Sequence, residues 1–381
     1  MIKLKAILTK RTWVILAGFV LCVVLILTSG FFSREYDPFL TIQRARVLSV
    51  DDSLLSEDPH VANMQIGRQI VEVEILTGNH TGRRVRFEST VSRHFNVVSQ
   101  EGMELLVQVR ENSDGSIAYV GVQGHSRATF LYVFVGLFLL VLIVIGRKKG
   151  LFSVLSLLFT ITVVVFFMIP LIINGFSPVL AAIITAALTT LFSIFVVSDV
   201  SPKGVSAVAG TLFGVLIAGV ISVIAGRFAH VSGMQLEHAE EVFFHMQGGA
   251  IIRVPELLFA GIIISSLGAV IDIAMSISSV IFEIKDVDKT IGLKQLYSRG
   301  MNIGRDIMGT MSNTLILAFA GSSVTVMVII ALYRFPYIQL INLNLLALEI
   351  VQGISASFAL VVTVPITAIF AAFMATKFNK K

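Results

Sequence analysis

Cysteine occurs once, at Cys22 within an apolar run, which excludes an intramolecular disulfide and a cysteine-based zinc site. Charge is scarce too: 14% of residues are Asp, Glu, Lys or Arg against 55% hydrophobic, and the mean hydropathy is +0.88. That balance excludes an ordinary soluble domain and places the chain in the polytopic membrane class. No G-x-x-x-x-G-K-[ST], no G-x-S-x-G and no G-x-G-x-x-G in a βαβ setting is present. ATP hydrolysis on a P-loop, hydrolase chemistry on a nucleophile elbow and dinucleotide binding therefore lack a carrier, and no cofactor is expected. Lysine is confined to the chain ends and a few loops, so the net charge of +5 reads as membrane topology and calls for no nucleic-acid partner.

Long apolar runs are what the chain has in quantity. Residues 1–33 carry Lys3, Lys5, Lys10 and Arg11 ahead of an apolar stretch that opens on Trp13. The stretch is longer than a signal-peptide core and lacks a clear A-x-A site, which predicts an uncleaved signal anchor with a cytoplasmic N-terminus. Residues 34–127 change texture. RARVLSV, QIVEVEIL, RRVRFES, MELLVQVR and SIAYVGV alternate apolar with polar residues, and TGNHTG and NSDG supply turns. Five short strands predict a small antiparallel barrel or sandwich of OB-like type, lying outside the cytoplasm. Residues 128–381 then hold seven further apolar runs, at about Thr129–Gly146, Leu151–Ile173, Pro178–Val197, Val205–Gly226, Leu257–Phe282, Met311–Tyr333 and Leu348–Phe373. With the first helix the fold expected is an α-helical polytopic membrane protein of about eight transmembrane helices, with the β domain between helices 1 and 2. Sixteen basic residues then fall on the side of the N-terminus, while the short opposite loops hold only Arg227, Arg253 and Arg334. This bias predicts a membrane protein with both termini cytoplasmic.

Polar residues inside the apolar runs are the candidate functional groups. Ser265, Gly268, Asp272, Ser276, Ser279 and Glu283 recur at helical spacing and share one stripe of the sixth span. A carboxylate near mid-bilayer costs about 2.5–3.5 kcal/mol on insertion scales and persists where it faces protein, water or a partner. Asn302, Asp306, Gly309 and Asn313 form a second stripe leading into the seventh span. The two seams predict a transport pathway between spans six and seven, through Asp272, Ser276, Ser279, Asn302 and Asn313. Glu283, Arg305 and Asp306 are expected as a cytoplasmic gate, Arg305 pairing with one of the two acids. The plainer reading of Asp272 is a hydrogen-bonded structural carboxyl between packed helices. Ser206, Gly210, Gly214, Ala218, Ser222 and Gly226 recur every four residues and predict close helix packing, and Thr185, Thr189 and Ser193 make a comparable hydroxylated stripe. His238, Glu241 and His245, three and four residues apart in an outer loop, are a metal-ligand candidate.

LGAVIDIAMSISS (267–279) followed by RGMNIGRDIMGTMSNTLILAFAG (299–321), with EHAEEVFF upstream, resembles the YibE/YibF-like family of bacterial multi-pass membrane proteins. The resemblance implies no established activity. It points to Asp272, Gly300, Asn302, Gly304, Arg305, Asp306, Gly309 and Asn313 as signature positions, and to a related family member as a partner in a hetero-oligomer. Three functions are consistent with the residues. The first is a permease or exporter component of unknown substrate. The second is a non-transporting scaffold presenting the β domain to an envelope partner, and the weakest is an enzyme acting on lipid or cell-wall precursors at the outer face.

Overall fold

The computed structural model describes residues 10–29, 39–236, 238–246 and 251–378. The chain divides into two compact units, one of Ser33–Val141 and the other of Met1–Phe32 with Leu142–Lys381.

The smaller unit contains strands β1 (Leu40–Asp51), β2 (Leu55–Glu57), β3 (Gln65–Ile75), β4 (Arg84–Val91), β5 (Glu104–Glu111) and β6 (Ile117–His125). All pairings are antiparallel, and the main path runs β4–β3–β1–β5–β6 with β2 on the start of β3. β4 and β6 come close without forming a ladder, so the sheet curls into a half-barrel. The five longer strands are those the alternation marks. β2 escapes because three residues cannot display a period. Val47, Val71, Val73, Ile75, Leu105, Val107 and Val109 fill the interior. Outside, Arg46 stands opposite Glu74, Glu74 opposite Arg84 and Glu72 opposite Arg86, so no like charges face across these rungs. Buried Gln69 ties the strands to the following loop by donating to Asp52 (2.6 Å) and by exchanging bonds with the Ser99 backbone.

The larger unit is built from α1 (Lys10–Thr28), α2 (Ala128–Val163), α3 (Ile169–Ile173), α4 (Pro178–Ser198), α5 (Pro202–Ala229), α6 (Ala239–Met246), α7 (Val254–Val287), α8 (Leu293–Ser322), α9 (Val324–Tyr333), α10 (Tyr337–Ile341) and α11 (Asn344–Phe378), α2 beginning within the smaller unit. A π-turn, Val164–Met168, joins α2 to α3. Proline in the first turn starts α4, α5 and α7, where its missing N–H removes no intrahelical bond, and Ser201 caps α5 by accepting from the Gly204 amide.

Among the described residues, six elements are long and apolar enough to cross a membrane, or seven if the bent pair α8 and α9 is one span. The expected eight differ in two places. The runs at 129–146 and 151–173 form one hydrogen-bonded element, Ala128–Ile173, broken at Arg147 (φ 49°, ψ −128°). At Gly150 a Cβ would collide with the Leu142 carbonyl. In an uninterrupted helix residues eight apart are separated by about 12 Å, so the chain turns back on itself within Arg147-Lys148-Lys149. The expected run Met311–Tyr333 is bent by 63° around Ser323, at a Gly-Ser-Ser sequence of the kind that kinks helices.

The helical core lies among α4, α5, α7 and α11, each buried over about half of its most apolar stretch. The small-residue stripe of α5 is buried throughout. Gly210 abuts Thr367, Gly214 abuts Thr363 and Val270, and Gly226 abuts Phe259, so the backbone of α5 comes close to α7 and α11 where any side chain would intrude. The first half of α8 docks in the same way, with Gly300 against Ile281 and Ala368, and Gly304 against Ile277 and Val364.

Candidate functional site: the cleft beside Asp272

α7 is two-faced. Ile263, Val270, Ile273, Ile277 and Ile281 are fully buried, whereas Ser265, Gly268, Asp272, Ser276 and Glu283 are exposed. Asp272 forms no hydrogen bond or ion pair with any described residue. It borders an open-sided cavity of ≈ 430 Å³ lined by α2, α4 and α7. The polar wall consists of hydroxyls: Ser153, Ser156 and Thr160 from α2, and Thr185, Thr189 and Ser193 from α4. Leu157, Ile194, Ile264 and Met275 supply apolar surface. Helical spacing explains the wall, since steps of three or four keep each trio on one face. Measured along α4 from Thr185 to Val197, the cleft is about 18 Å long, over half of a hydrocarbon core of about 30 Å.

The hydroxyls are partly engaged. Ser156 donates to Ser193 Oγ at 2.6 Å, joining α2 to α4, and Thr189 donates to the Thr185 carbonyl at 2.8 Å. Thr185 is fully buried and its Oγ1 has no partner among the described residues. Beyond Val197, Arg11 pairs with Asp199 at 2.7 Å, and its guanidinium lies 4.5 Å from the Phe152 ring centroid. This cluster ties α1 to α2 and to the α4–α5 turn, at the end of the cleft where Ser153 and Val197 sit. At the other end of α4, Ser177 donates to Glu256 of α7, and Arg253 stands 3.5 Å from the same carboxylate.

The seams on α7 and α8 do not meet. α8 packs on the face of α7 that carries Ile277 and Ile281, five and nine residues from Asp272 and so about 140° and 180° around the helix. Ser276 is exposed, Ser279 is half-buried, and neither lines the cleft. Asn302, Asp306 and Asn313 are exposed on α8. Arg305 donates to Asn302 at 3.2 Å, and among the described residues no ion pair joins it to Glu283 or Asp306. His238 Nδ1 lies 3.3 Å from Glu241 Oε1 with both side chains exposed, the His245 side chain falls outside the described residues, and no described group of three ligands is placed to hold a metal. The α2 hydroxyls are the residues sequence reasoning missed. Their signal was the spacing of Ser153, Ser156 and Thr160, three and four residues apart, which puts them on one helix face as the four-residue spacing does for Thr185, Thr189 and Ser193.

The described residues form a bundle of helices of the length and apolar composition that cross a membrane, accompanied by a separate β unit. The family model described as YibE/F-like protein matches residues 134–377, and the chain belongs to that family. The β unit lies almost wholly outside the match, so the family relationship covers the helical part. No curated protein and no solved structure gives a match.

Proposed function

We propose that this protein is a plasma-membrane permease whose solute path runs through the cleft between α2, α4 and α7, with Asp272 as its polar centre. The observation that carries the reading is the partnerless Asp272 carboxylate bordering a hydroxyl-walled cavity. A carboxylate held for architecture needs hydrogen-bond partners, because burying one unpaired is costly, and Asp272 has none among the described residues. The path therefore replaces the one expected between the sixth and seventh spans. In this reading the fold at Arg147 separates two spans and α8 with α9 makes another, giving eight. Both termini are cytoplasmic, the OB-like β unit is extracytoplasmic, and the end of the cleft near Ser153 and Val197 faces the cytoplasm.

The test uses the protein's single native cysteine. In a Cys22→Ser background, Thr160→Cys and Gly268→Cys are expected to react with a membrane-impermeant thiol reagent in inside-out vesicles, whereas Leu216→Cys, on an exposed apolar face of α5, is not. Unreactive cleft positions beside a reactive loop control would remove the permease. The scaffold reading, with the β unit engaging an envelope partner or a related family member, would then take its place.

A further inference from the structure

We propose that the cleft beside Asp272 binds a monovalent alkali cation; this rests on the permease reading and names what the path admits. The polar lining is one carboxylate and six hydroxyls, with no Lys, Arg, His or Cys among the described lining residues. An all-oxygen set suits hard cations and offers nothing to soft metals. An anion would meet a carboxylate and find no cationic side chain. Charge selects the valence. One carboxylate neutralises one positive charge, whereas a divalent ion would keep an uncompensated charge against a wall of Leu, Ile, Val and Met.

The acceptors such an ion requires are in place. Asp272 commits its charge to no described group. Ser156 and Thr189 donate their protons to Ser193 and to the α4 backbone, which leaves their oxygen lone pairs as acceptors. Thr185 is an independent pointer: it is 0% exposed, it borders the cavity, and its Oγ1 is unpartnered among the described residues. A χ1 rotation exchanges hydroxyl and methyl and is one way for that oxygen to reach the cavity. At ≈ 430 Å³ the space is large for a bare ion and accommodates one that keeps part of its water shell, each water taking about 30 Å³.

The experiment is thermal melting of the purified full chain in detergent, followed by circular dichroism. Chloride salts of lithium, sodium, potassium, magnesium and calcium are compared with N-methylglucamine at constant ionic strength. At least one alkali ion is expected to raise Tm saturably by several degrees. Asp272→Asn should abolish the shift, and Thr185→Val, which leaves every other hydroxyl in place, should weaken apparent affinity several-fold. Equal melting in alkali and N-methylglucamine salts, a shift that survives in Asp272→Asn, unchanged affinity in Thr185→Val, or a response to Mg²⁺ or Ca²⁺ alone would each overturn the assignment. Cleft cysteines that react from water while melting ignores alkali ions would remove the cation and leave the permease. Unreactive cleft cysteines would remove the permease itself.

Discussion

Replacing Asp272 by leucine should make the protein more stable. A residue kept for architecture loses partners when it is replaced, and removal of one member of a buried hydrogen-bonded or ionic set ordinarily costs several kcal/mol. Asp272 has no such partner among the described residues and faces the cleft, so the substitution removes no protein contact of that kind. On insertion scales Asp at a helix centre is unfavourable by about 2.5–3.5 kcal/mol and Leu favourable by about 0.3–0.6, a full-exposure difference of about 3–4 kcal/mol. Solvation of part of the carboxylate by water in the cleft, as the permease reading requires, would reduce the expected gain to about 1–2 kcal/mol. Unfolding by SDS in mixed micelles reads this difference directly, with Asp272→Asn as the near-isosteric comparison. A loss of 1 kcal/mol or more in Asp272→Leu would mean that the carboxylate is held by a partner, and the argument for use over architecture would fail. Stability gained where activity is lost is the expected trade at a working site.

Three further outcomes follow from the packing and the charges. Gly214→Ala should destabilise by about 1–3 kcal/mol, because its Cβ would intrude on Thr363 and Val270, whereas Gly268→Ala, with open space around it, should stabilise by about 0.5–1 kcal/mol in the same SDS titration. Arg11→Ala should cost little overall, because Asp199 is half exposed, yet raise the labelling rate of Ser153→Cys by loosening that end of the cleft. In the β unit, the Arg93 guanidinium beside Asp58, helped by the His60 and Val61 amides, holds the Asp58 carboxyl below its usual range. Its contribution to stability is therefore complete above the ordinary carboxylate pKa and is lost as pH falls through the lowered folded value. Proteolysis of the β unit in the full chain should accordingly set in at higher pH in Arg93→Ala than in the parent.

Much of the fold was legible because it rests on periods. Two-residue alternation marked the five long strands, and long apolar runs marked the helices. The four-residue recurrence from Ser206 to Gly226 marked the helix face that packs closest. The fold at Arg147 and the bend at Ser323 were not legible as such, since neither contains proline and both depend on what the chain meets in three dimensions. The site was half legible. Asp272 stood out by depth and chemistry, but which helix faces it is a question of rotation about α7. Sequence adjacency favoured α8, whereas Gly300 and Gly304 seat α8 on the opposite, isoleucine face. A stripe names a face; the neighbour comes from packing.

Whether the cleft is a passage or a pit is settled by access from both sides. With Gly268→Cys as the only thiol, placed one turn from Asp272 where a side chain has open space, an impermeant reagent can be applied separately to right-side-out and inside-out vesicles. A permease exposes that thiol to water from each face in turn, so both preparations should be labelled. Labelling confined to one preparation, with loop controls reactive in the other, would contradict a path through the membrane at Asp272.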